Sequence, residues 1–216
     1  MQQTAGVVEE YDTGSWIASE MGRRAPDRVV GVHVNALIAF PVREEGETDG
    51  LSEVEARRRQ AMQDFNDGYL QCNSKRPQTV AYGLTDSPVG ELAWIVEKFK
   101  ELTDPEDGLP EDSVDRDRML ANVSPYWFTG TAASAAQIHY EEISASPWGE
   151  TGGGDAKVPT AVLVSAHDVT VRRWAERDHD IVRWTELDRG GHFLSLEAPE
   201  ALVEDVRESF RDLRRR

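Results

Sequence analysis

Cysteine, lysine and long apolar runs are scarce in this sequence, and each scarcity excludes a class of protein. A single cysteine, Cys72, rules out an internal disulfide and a cysteine-based metal site. Lysine and arginine together number 24 against 40 aspartates and glutamates, and the net charge of -16 argues against nucleic acid or an anionic membrane as a partner. No run of about 18 apolar residues predicts a membrane span. The first residues also lack the pattern of a signal peptide, so we expect a cytoplasmic protein.

Apolar, β-branched segments mark the predicted strands. The 216 residues are 39% hydrophobic, which is enough for the core of one domain with an insertion. Residues 28–37 ("RVVGVHVNAL") and 158–166 ("VPTAVLVSA") are typical of buried parallel strands. Residues 180–187 alternate like a third strand. Residues 5–8 predict a short stub of a fourth strand, which the two glutamates that follow cut short.

Helical patterns occur between and after these strands. One helix is expected directly after Asp12, and another, with Pro199 in its first turn, follows the last strand. Ser52 and Glu55 form a capping-box pattern ahead of a further helix. A helix starting at residue 86 or 87 and two more over "RMLANVSPYWF" and "TAASAAQIHYEEI" complete the set.

The order of these elements predicts an α/β fold with a mostly parallel sheet. The chain runs strand–helix–strand, then through a helical excursion, then strand–helix–strand–helix. Residues 41–157 combine acidic loops with helical patterns and show no convincing strand, so we predict a helical lid inserted into the core. The core is then formed by residues 1–40, which hold a candidate nucleophile turn, and residues 158–216.

The stretch "EEYDTGSWIA", residues 9–18, places Asp12 between a strand signal and a helix signal. In the nucleophile elbow of α/β-hydrolases such a turn lifts one side chain above the sheet, and an acid and a histidine follow in that order. Asp168 follows a predicted strand, and His192 follows two glycines before the last helix. An aspartate nucleophile forms an ester, which the histidine hydrolyses by activating water. A capping aspartate, a turn residue and a loop histidine would give the same pattern.

Several longer stretches resemble the microsomal-type epoxide hydrolases of the α/β-hydrolase superfamily. These are "KRPQTVAYGLTDSPVGELAWIVEKF" at 75–99, "MLANVSPYWFTGTAAS" at 119–134 and "WTELDRGGHFLSLEAPEALVEDVRESF" at 184–210. Residues 12–35 are similar to the family's elbow, helix and next strand. The resemblance extends over nearly the whole chain from Asp12 onward. It implies the C-terminal part of an α/β-hydrolase fold with a helical lid.

The resemblance also implies a role for each matching residue. Asp12 matches the nucleophile that attacks an epoxide carbon, and His192 matches the base that activates water. Asp168 falls at the position of the charge-relay acid. Tyr69 and Tyr140 match two lid tyrosines that hold and polarise the epoxide oxygen. Two phenol donors suit this reaction, because an opening epoxide develops alkoxide charge.

The remaining predicted contacts concern the substrate, which the resemblance implies is a small-molecule epoxide. Trp94, Trp127 and Phe128 are expected in the lid core or pocket wall, and Thr13, next to the nucleophile, is also assigned to the substrate site. The resemblance implies no cofactor. The five histidines show no HExxH or similar spacing, so no metal site is predicted.

Two departures from the family bear on activity. Glu10 stands where the elbow normally has glycine, and a charged side chain at this crowded turn is expected to cost stability or shift the backbone. No His-Gly-x-Pro oxyanion loop occurs, and Asp12 lies near the start of the sequence, so the first strands of the family fold are expected to be missing. The open sheet edge would favour self-association into a homo-oligomer.

Two alternative functions stay open at this point. A haloalkane dehalogenase has the same fold, although it commonly carries tryptophan after the nucleophile, where Thr13 stands here. A catalytically impaired fragment or remnant of an epoxide hydrolase would explain Glu10 and the absent loop. Measuring whether the product is a halide ion or a diol distinguishes a dehalogenase from an epoxide hydrolase. Turnover that depends on Asp12 distinguishes an active epoxide hydrolase from an impaired remnant.

Overall fold

The structure is a computed structural model, in which contacts between residues divide the chain into two compact units. The first unit contains Met1–Gln63 and Thr151–Arg216, and the second contains Asp64–Glu150. Residues 41–63, which the sequence assigned to the lid, therefore belong to the first unit. The lid role of the second unit stays a prediction. The structure describes residues 6–37, 39–42, 44–105, 107–145 and 158–211.

A parallel sheet of four strands, in the order β1-β2-β3-β4, forms the centre of the first unit. Three predicted strands are confirmed, while β1 is longer than the predicted stub and includes Glu9 and Glu10. The prediction of an early end was wrong because β1 is an edge strand of the described sheet, where both carboxylates are exposed to water. The strands are β1 Gly6–Tyr11, β2 Val29–Asn35, β3 Pro159–Val164 and β4 Asp180–Glu186.

Capping residues set the starts of two predicted helices. The N–H of Ser52 donates to Oε2 of Glu55 at 2.9 Å and the N–H of Glu55 donates to Oγ of Ser52 at 3.2 Å, which confirms the capping box. Ser87 caps another helix by accepting from the N–H of Gly90 at 3.0 Å. The described helices are α1 Thr13–Arg24, α2 Glu53–Asp64, α3 Gly68–Lys75, α4 Pro77–Asp86, α5 Pro88–Leu102, α6 Arg116–Thr129, α7 Ala132–Ala145, α8 Arg172–Asp178, α9 Leu194–Glu197 and α10 Pro199–Ser209.

The two faces of the sheet are packed differently. On one face, valines of β2 and β3 form a fully buried apolar cluster with side chains of α1 and α8, which gives this layer its hydrophobic stabilisation. On the other face, Leu163 packs with Leu194 and Ala198, near the start of α10. The first cluster includes Ala18, Val32, Val34, Val162, Val164, Val171, Trp174 and Ala175.

A polar row crosses the sheet on the α10 side. Glu9, His33, Ala161 and Arg183 are successive partners in the register of the four strands. The small side chain of Ala161 lies in this row between His33 and Arg183, and Asp205 of α10 bonds to both of them. A buried carboxylate therefore links the last helix to two strands.

Helices are the regular elements of the second unit among its described residues, and loops connect them. α7 packs against α3 and α4, and α5 packs against α4 and α6. α6 ends at Gly130, whose φ of 64° is typical of a glycine that terminates a helix. In the described parts of both units, no helix combines the length and apolarity needed to cross a bilayer. The cytoplasmic location stays a prediction.

Candidate active site

Asp12 occupies the sharp turn between β1 and α1. Its backbone has φ 53° and ψ -127°, a conformation that costs on the order of 1–3 kcal/mol in a residue with a side chain. The N–H of Ser15 donates to the carbonyl oxygen of Asp12 at 2.9 Å, and the hydroxyl of Ser15 donates to it at 2.6 Å. The half-exposed carboxylate of Asp12 makes no capping hydrogen bond to α1. This geometry is that of a displayed side chain and not of an ordinary helix cap.

Glu10 fits beside this turn because Gly14 has no Cβ. A Cβ on Gly14 would lie 2.7 Å from Oε2 and 3.1 Å from Cβ of Glu10. Glu10 itself pairs in regular register with Val34 of β2, so the expected backbone shift is absent. The expected cost in stability stays a prediction.

His192 lies next to Asp12, although the strands that precede them are at opposite edges of the described sheet. Nε2 of His192 is 3.4 Å from Oδ2 of Asp12. Three strand spacings separate β1 from β4 by roughly 14 Å, so the loop after β4 must cross the ends of the two central strands. The imidazole stands edge-on to the rings of Tyr11 and Phe193, at centroid distances of 5.6 and 5.2 Å.

The loop that carries His192 depends on Gly190. Gly190 has φ 82°, and a Cβ there would lie 2.7 Å from Cδ2 of Leu194, so glycine is required for both conformation and space. The carbonyl oxygens of Arg189 and Gly190 accept hydrogen bonds from the N–H groups of Ala166 and His167, at 3.3 and 3.4 Å. The loops after β3 and β4 are thereby joined.

Asp168 lies in the loop after β3, and its carboxylate binds Thr170. Oδ1 accepts from the N–H of Thr170 at 2.7 Å and from its hydroxyl at 2.6 Å. Burial raises the pKa of the Asp168 carboxyl, while the hydrogen bonds from Thr170 and the charges of Arg58 and His192 oppose that rise. The link to His192 is electrostatic. The relay role therefore stays a prediction, and it requires a hydrogen bond that replaces or supplements the one to Thr170.

Arg58 of α2 is a buried cation near this acid. Its guanidinium donates to both carboxylate oxygens of Glu186, at 3.2 and 3.3 Å, and its charge favours the ionised form of Asp168. Burial opposes ionisation of Glu186, but the hydrogen bonds from Arg58 and Trp184 and the charges of Arg58 and Arg172 together outweigh it and lower the pKa of Glu186. Arg58 does not stand out in the sequence, because "RRR" gives no sign of which arginine turns inward.

The predicted lid tyrosines are on two packed helices of the second unit. Tyr69 of α3 is partly buried, with Nζ of Lys98 4.6 Å from its ring centroid. Its ring stands edge-on to that of His139 on α7, at 5.8 Å. Tyr140, the next residue of α7, is 42% exposed. The helix pair therefore presents one enclosed and one open tyrosine.

The predicted pocket-wall residues of the second unit differ in burial. Trp94 and Trp127 are partly buried, on α5 and α6. Phe128 is 82% exposed, while its neighbour Trp127 is partly buried, so for Phe128 the pocket wall is the predicted alternative that stays open. Contact of these residues with a substrate stays a prediction.

Sequence and structure comparisons give the relationship of the chain to known proteins. No protein-family model matches the sequence. The "Putative epoxide hydrolase" of Stigmatella aurantiaca (strain DW4/3-1) is 38% identical over 217 residues, which cover 98% of this chain and 48% of that protein. "Epoxide hydrolase 1" of Sus scrofa is 29% identical over 223 residues, covering 91% of this chain and 48% of that protein. The crystal structure of juvenile hormone epoxide hydrolase from the silkworm Bombyx mori matches with a TM-score of 0.86 and 25% identity, over 99% of this chain and 56% of that chain.

The chain is a homologue of epoxide hydrolases and has part of the α/β-hydrolase fold. The resemblance and the fold class predicted from the sequence are thereby confirmed. The chain spans about half the length of the curated relatives it matches (48% for each of the two named above).

Two chemical features describe the candidate site of this epoxide hydrolase homologue. Within the described residues, no group of three or more histidine, cysteine, aspartate or glutamate side chains has the arrangement of a metal site. Of the residues predicted from the sequence, the structure brings Asp12 and His192 into contact and places Asp168 within electrostatic reach of His192.

Proposed function

We propose that this protein hydrolyses an epoxide to a vicinal diol, with Asp12 as the nucleophile and His192 as the base. The observation that supports this most directly is the contact of 3.4 Å between Nε2 of His192 and the carboxylate that Asp12 displays on a strained turn. The names of the relatives support the same reaction. Those relatives are about twice as long as this chain, so we extend their activity to this chain as a proposal.

In the first step, a carboxylate oxygen of Asp12 bonds to one epoxide carbon, and the bond from that carbon to the ring oxygen breaks. The N-terminus of α1 directly after Asp12 favours the anionic carboxylate that this attack needs. The ring oxygen becomes an alkoxide and takes a proton from water. The products are a hydroxy ester of Asp12 and a hydroxide ion.

In the second step, Nε2 of His192 takes a proton from water and the hydroxide attacks the carbonyl carbon of the ester. The backbone N–H of Thr13 belongs to the first turn of α1, where no intrahelical acceptor exists, and we assign it to the oxyanion. The ester C–O bond then breaks, and the leaving alkoxide takes the proton from His192. The new Asp12 carboxylic acid gives its proton to the hydroxide ion left by the first step, while Asp168 stabilises the imidazolium electrostatically.

Diol formation from styrene oxide by the purified chain tests the proposal. Wild type should form diol, Asp12→Asn should lose at least about 10³-fold in kcat because the covalent step is removed, and Asp27→Asn, an exposed aspartate of the same unit, should behave as wild type. Halide release from a bromoalkane is measured beside it. Halide without diol would support a dehalogenase, and the absence of both from folded wild type would overturn the proposal for this chain.

A further inference from the structure

Glu197, the last residue of α9, binds the backbone on both sides of His192. Its Oε2 accepts a hydrogen bond from the N–H of Gly191 at 2.9 Å, and its Oε1 accepts one from the N–H of Phe193 at 3.0 Å. A carboxylate that bridges two amides makes charge-assisted hydrogen bonds, which are stronger than neutral ones. The peptide units 190–191 and 192–193, on either side of His192, are therefore held by one partly buried side chain.

On the N-terminal side of Gly191 the loop is held by longer hydrogen bonds. The two backbone hydrogen bonds from Ala166 and His167 measure 3.3 and 3.4 Å, and both end at or before Gly190. Gly190 itself is at a positive φ and, as glycine, restricts the backbone least. After His192, the carbonyl of Phe193 accepts short hydrogen bonds from α9. On the side before His192, the bond from Gly191 to Glu197 is shorter than both backbone hydrogen bonds.

Capping of α9 explains only half of this arrangement. Phe193 is the residue before α9, so its bond to Glu197 resembles a side chain that returns to the start of its own helix. Gly191 lies outside the helix, and its N–H contributes nothing to helix stability. A role of the Glu197 carboxylate in holding His192 in place accounts for both contacts.

We propose that Glu197 is a positioning residue, which fixes Nε2 of His192 beside the Asp12 carboxylate for hydrolysis of the ester. This inference rests on the function proposed above. Glu197 acts through the backbone of the loop and contacts no reacting atom. A general base must be held within about 0.5 Å of its productive place, so a loosened loop should slow the step that uses His192.

The two chemical steps respond differently to a displaced His192. Attack by Asp12 on the epoxide does not use the imidazole, whereas hydrolysis of the ester does. Glu197→Gln keeps the size of the side chain but replaces one acceptor oxygen by an NH₂ group, so it can satisfy only one of the two amides. It should therefore lower kcat by about 10- to 100-fold, as expected for a displaced catalytic group. The ester on Asp12 should accumulate at the same time.

Intact-protein mass spectrometry during turnover of styrene oxide measures this accumulation. The reference is His192→Gln, which should trap nearly all of the protein as ester. The matched control is Glu200→Gln, an exposed glutamate three residues further on, which should match wild type in rate and show no trapped ester. If ester formation and hydrolysis fall together in Glu197→Gln, or if neither changes, the positioning role is overturned.

A second measurement tests the role of Glu197 independently of the proposed reaction. If wild type forms neither ester nor diol, the proposed function fails, and Glu197 is then judged by amide hydrogen exchange in the folded protein. Glu197→Gln should speed exchange at Gly191 and Phe193 by about tenfold or more, and Glu200→Gln should not. Equal exchange in both variants would overturn the inference without reference to activity.

Discussion

Nε2 of His33 on β2 lies 3.0 Å from Oδ2 of Asp205 on α10, and both side chains are buried. Arg183 and Thr185 of β4 donate to the other oxygen of Asp205, and Nδ1 of His33 is 3.9 Å from Oε1 of Glu9. Burial would lower the pKa of His33, but the hydrogen bond to Asp205, the weaker interaction with Glu9 and the charges of both carboxylates together outweigh it and raise that pKa. Burial would raise the pKa of Asp205, but its hydrogen bonds, led by that from His33, lower it to about 2.

The stability that His33 contributes should therefore depend on pH. Because its folded pKa is raised, the contribution is complete below the ordinary pKa near 6.5 and is lost as pH rises through the folded value. His33→Gln should lower the free energy of unfolding by about 1–3 kcal/mol at pH 5 and by less at pH 9. Urea unfolding measures this, with the exposed His167→Gln as control. Equal losses at both pH values would contradict the charged pair.

The Asp205 carboxylate sets the acid limit of the same network. Its pKa is lowered to about 2, so its contribution is present above the ordinary value of 3.8 and is lost as pH falls toward 2. Asp205→Asn should lower the free energy of unfolding at pH 7 by more than at pH 2.5. Circular dichroism during urea titration at the two pH values provides the comparison, and a loss that grows toward acid would show the sign to be wrong.

The ester mechanism predicts where the oxygen of water goes. In a single turnover with excess protein in ¹⁸O-water, hydroxide activated by His192 attacks the ester carbonyl, so the label should enter the Asp12 carboxylate and the diol should stay unlabelled. Peptide mass spectrometry of residues around Asp12 measures the incorporation. Label in the first diol instead would indicate direct attack of water on the epoxide, with Asp12 acting only as a base.

The contact of Glu10 with Gly14 predicts coupling between two substitutions. Glycine to alanine in a helix normally adds about 0.5–1 kcal/mol of stability. Gly14→Ala should lose that gain, because the new Cβ meets Glu10. It should recover part of the gain in the Glu10→Ala background, which removes the carboxylate but keeps the Cβ at 3.1 Å. Gly83→Ala, where a Cβ has nothing within 4 Å, should give the same gain in both backgrounds. A double-mutant cycle of unfolding free energies gives the coupling, and additivity would refute the contact.

Glu91 of α5 is a buried carboxylate whose two oxygens have no hydrogen-bond partner among the described residues. Burial raises the pKa of the Glu91 carboxyl, so its ionisation at neutral pH destabilises the folded state. Glu91→Gln should raise the free energy of unfolding by about 1 kcal/mol at pH 7.5, and the gain should vanish at pH 4, below the ordinary value of 4.5. The exposed Glu97→Gln on the same helix is the control for the denaturation series.

The exposed edge strand predicts association between copies. Val7 on β1 and Ile17 on α1 are 45% and 56% exposed. Lysine at either position should shift the light-scattering mass toward the monomer, whereas Val203→Lys on α10, at a residue 44% exposed, should leave it unchanged. A wild-type protein that is strictly monomeric at high concentration would rule out the predicted homo-oligomer.

Patterns within short stretches of the sequence were sufficient to predict several strands and helix starts. The β-branched runs at β2 and β3 and the capping box of Ser52 and Glu55 were read correctly, because burial and helix starts depend on residues close together in the chain. β1 was read too short, because the glutamates that argue against a buried strand are acceptable at an edge. The order of Asp12, Asp168 and His192 along the chain was visible in the sequence, and its match to a fold family made it specific.

The sequence by itself determined the α/β class, the strands that form the sheet and the candidate chemistry of Asp12 and His192. Only the tertiary structure decided that the two side chains meet at 3.4 Å, that Asp168 binds Thr170, and that Glu197 holds both amides beside His192. The reason is physical. Apolar periodicity reports which face of an element is buried, whereas a contact between polar side chains depends on how loops from different strands cross the sheet. That crossing is set by packing over the whole unit.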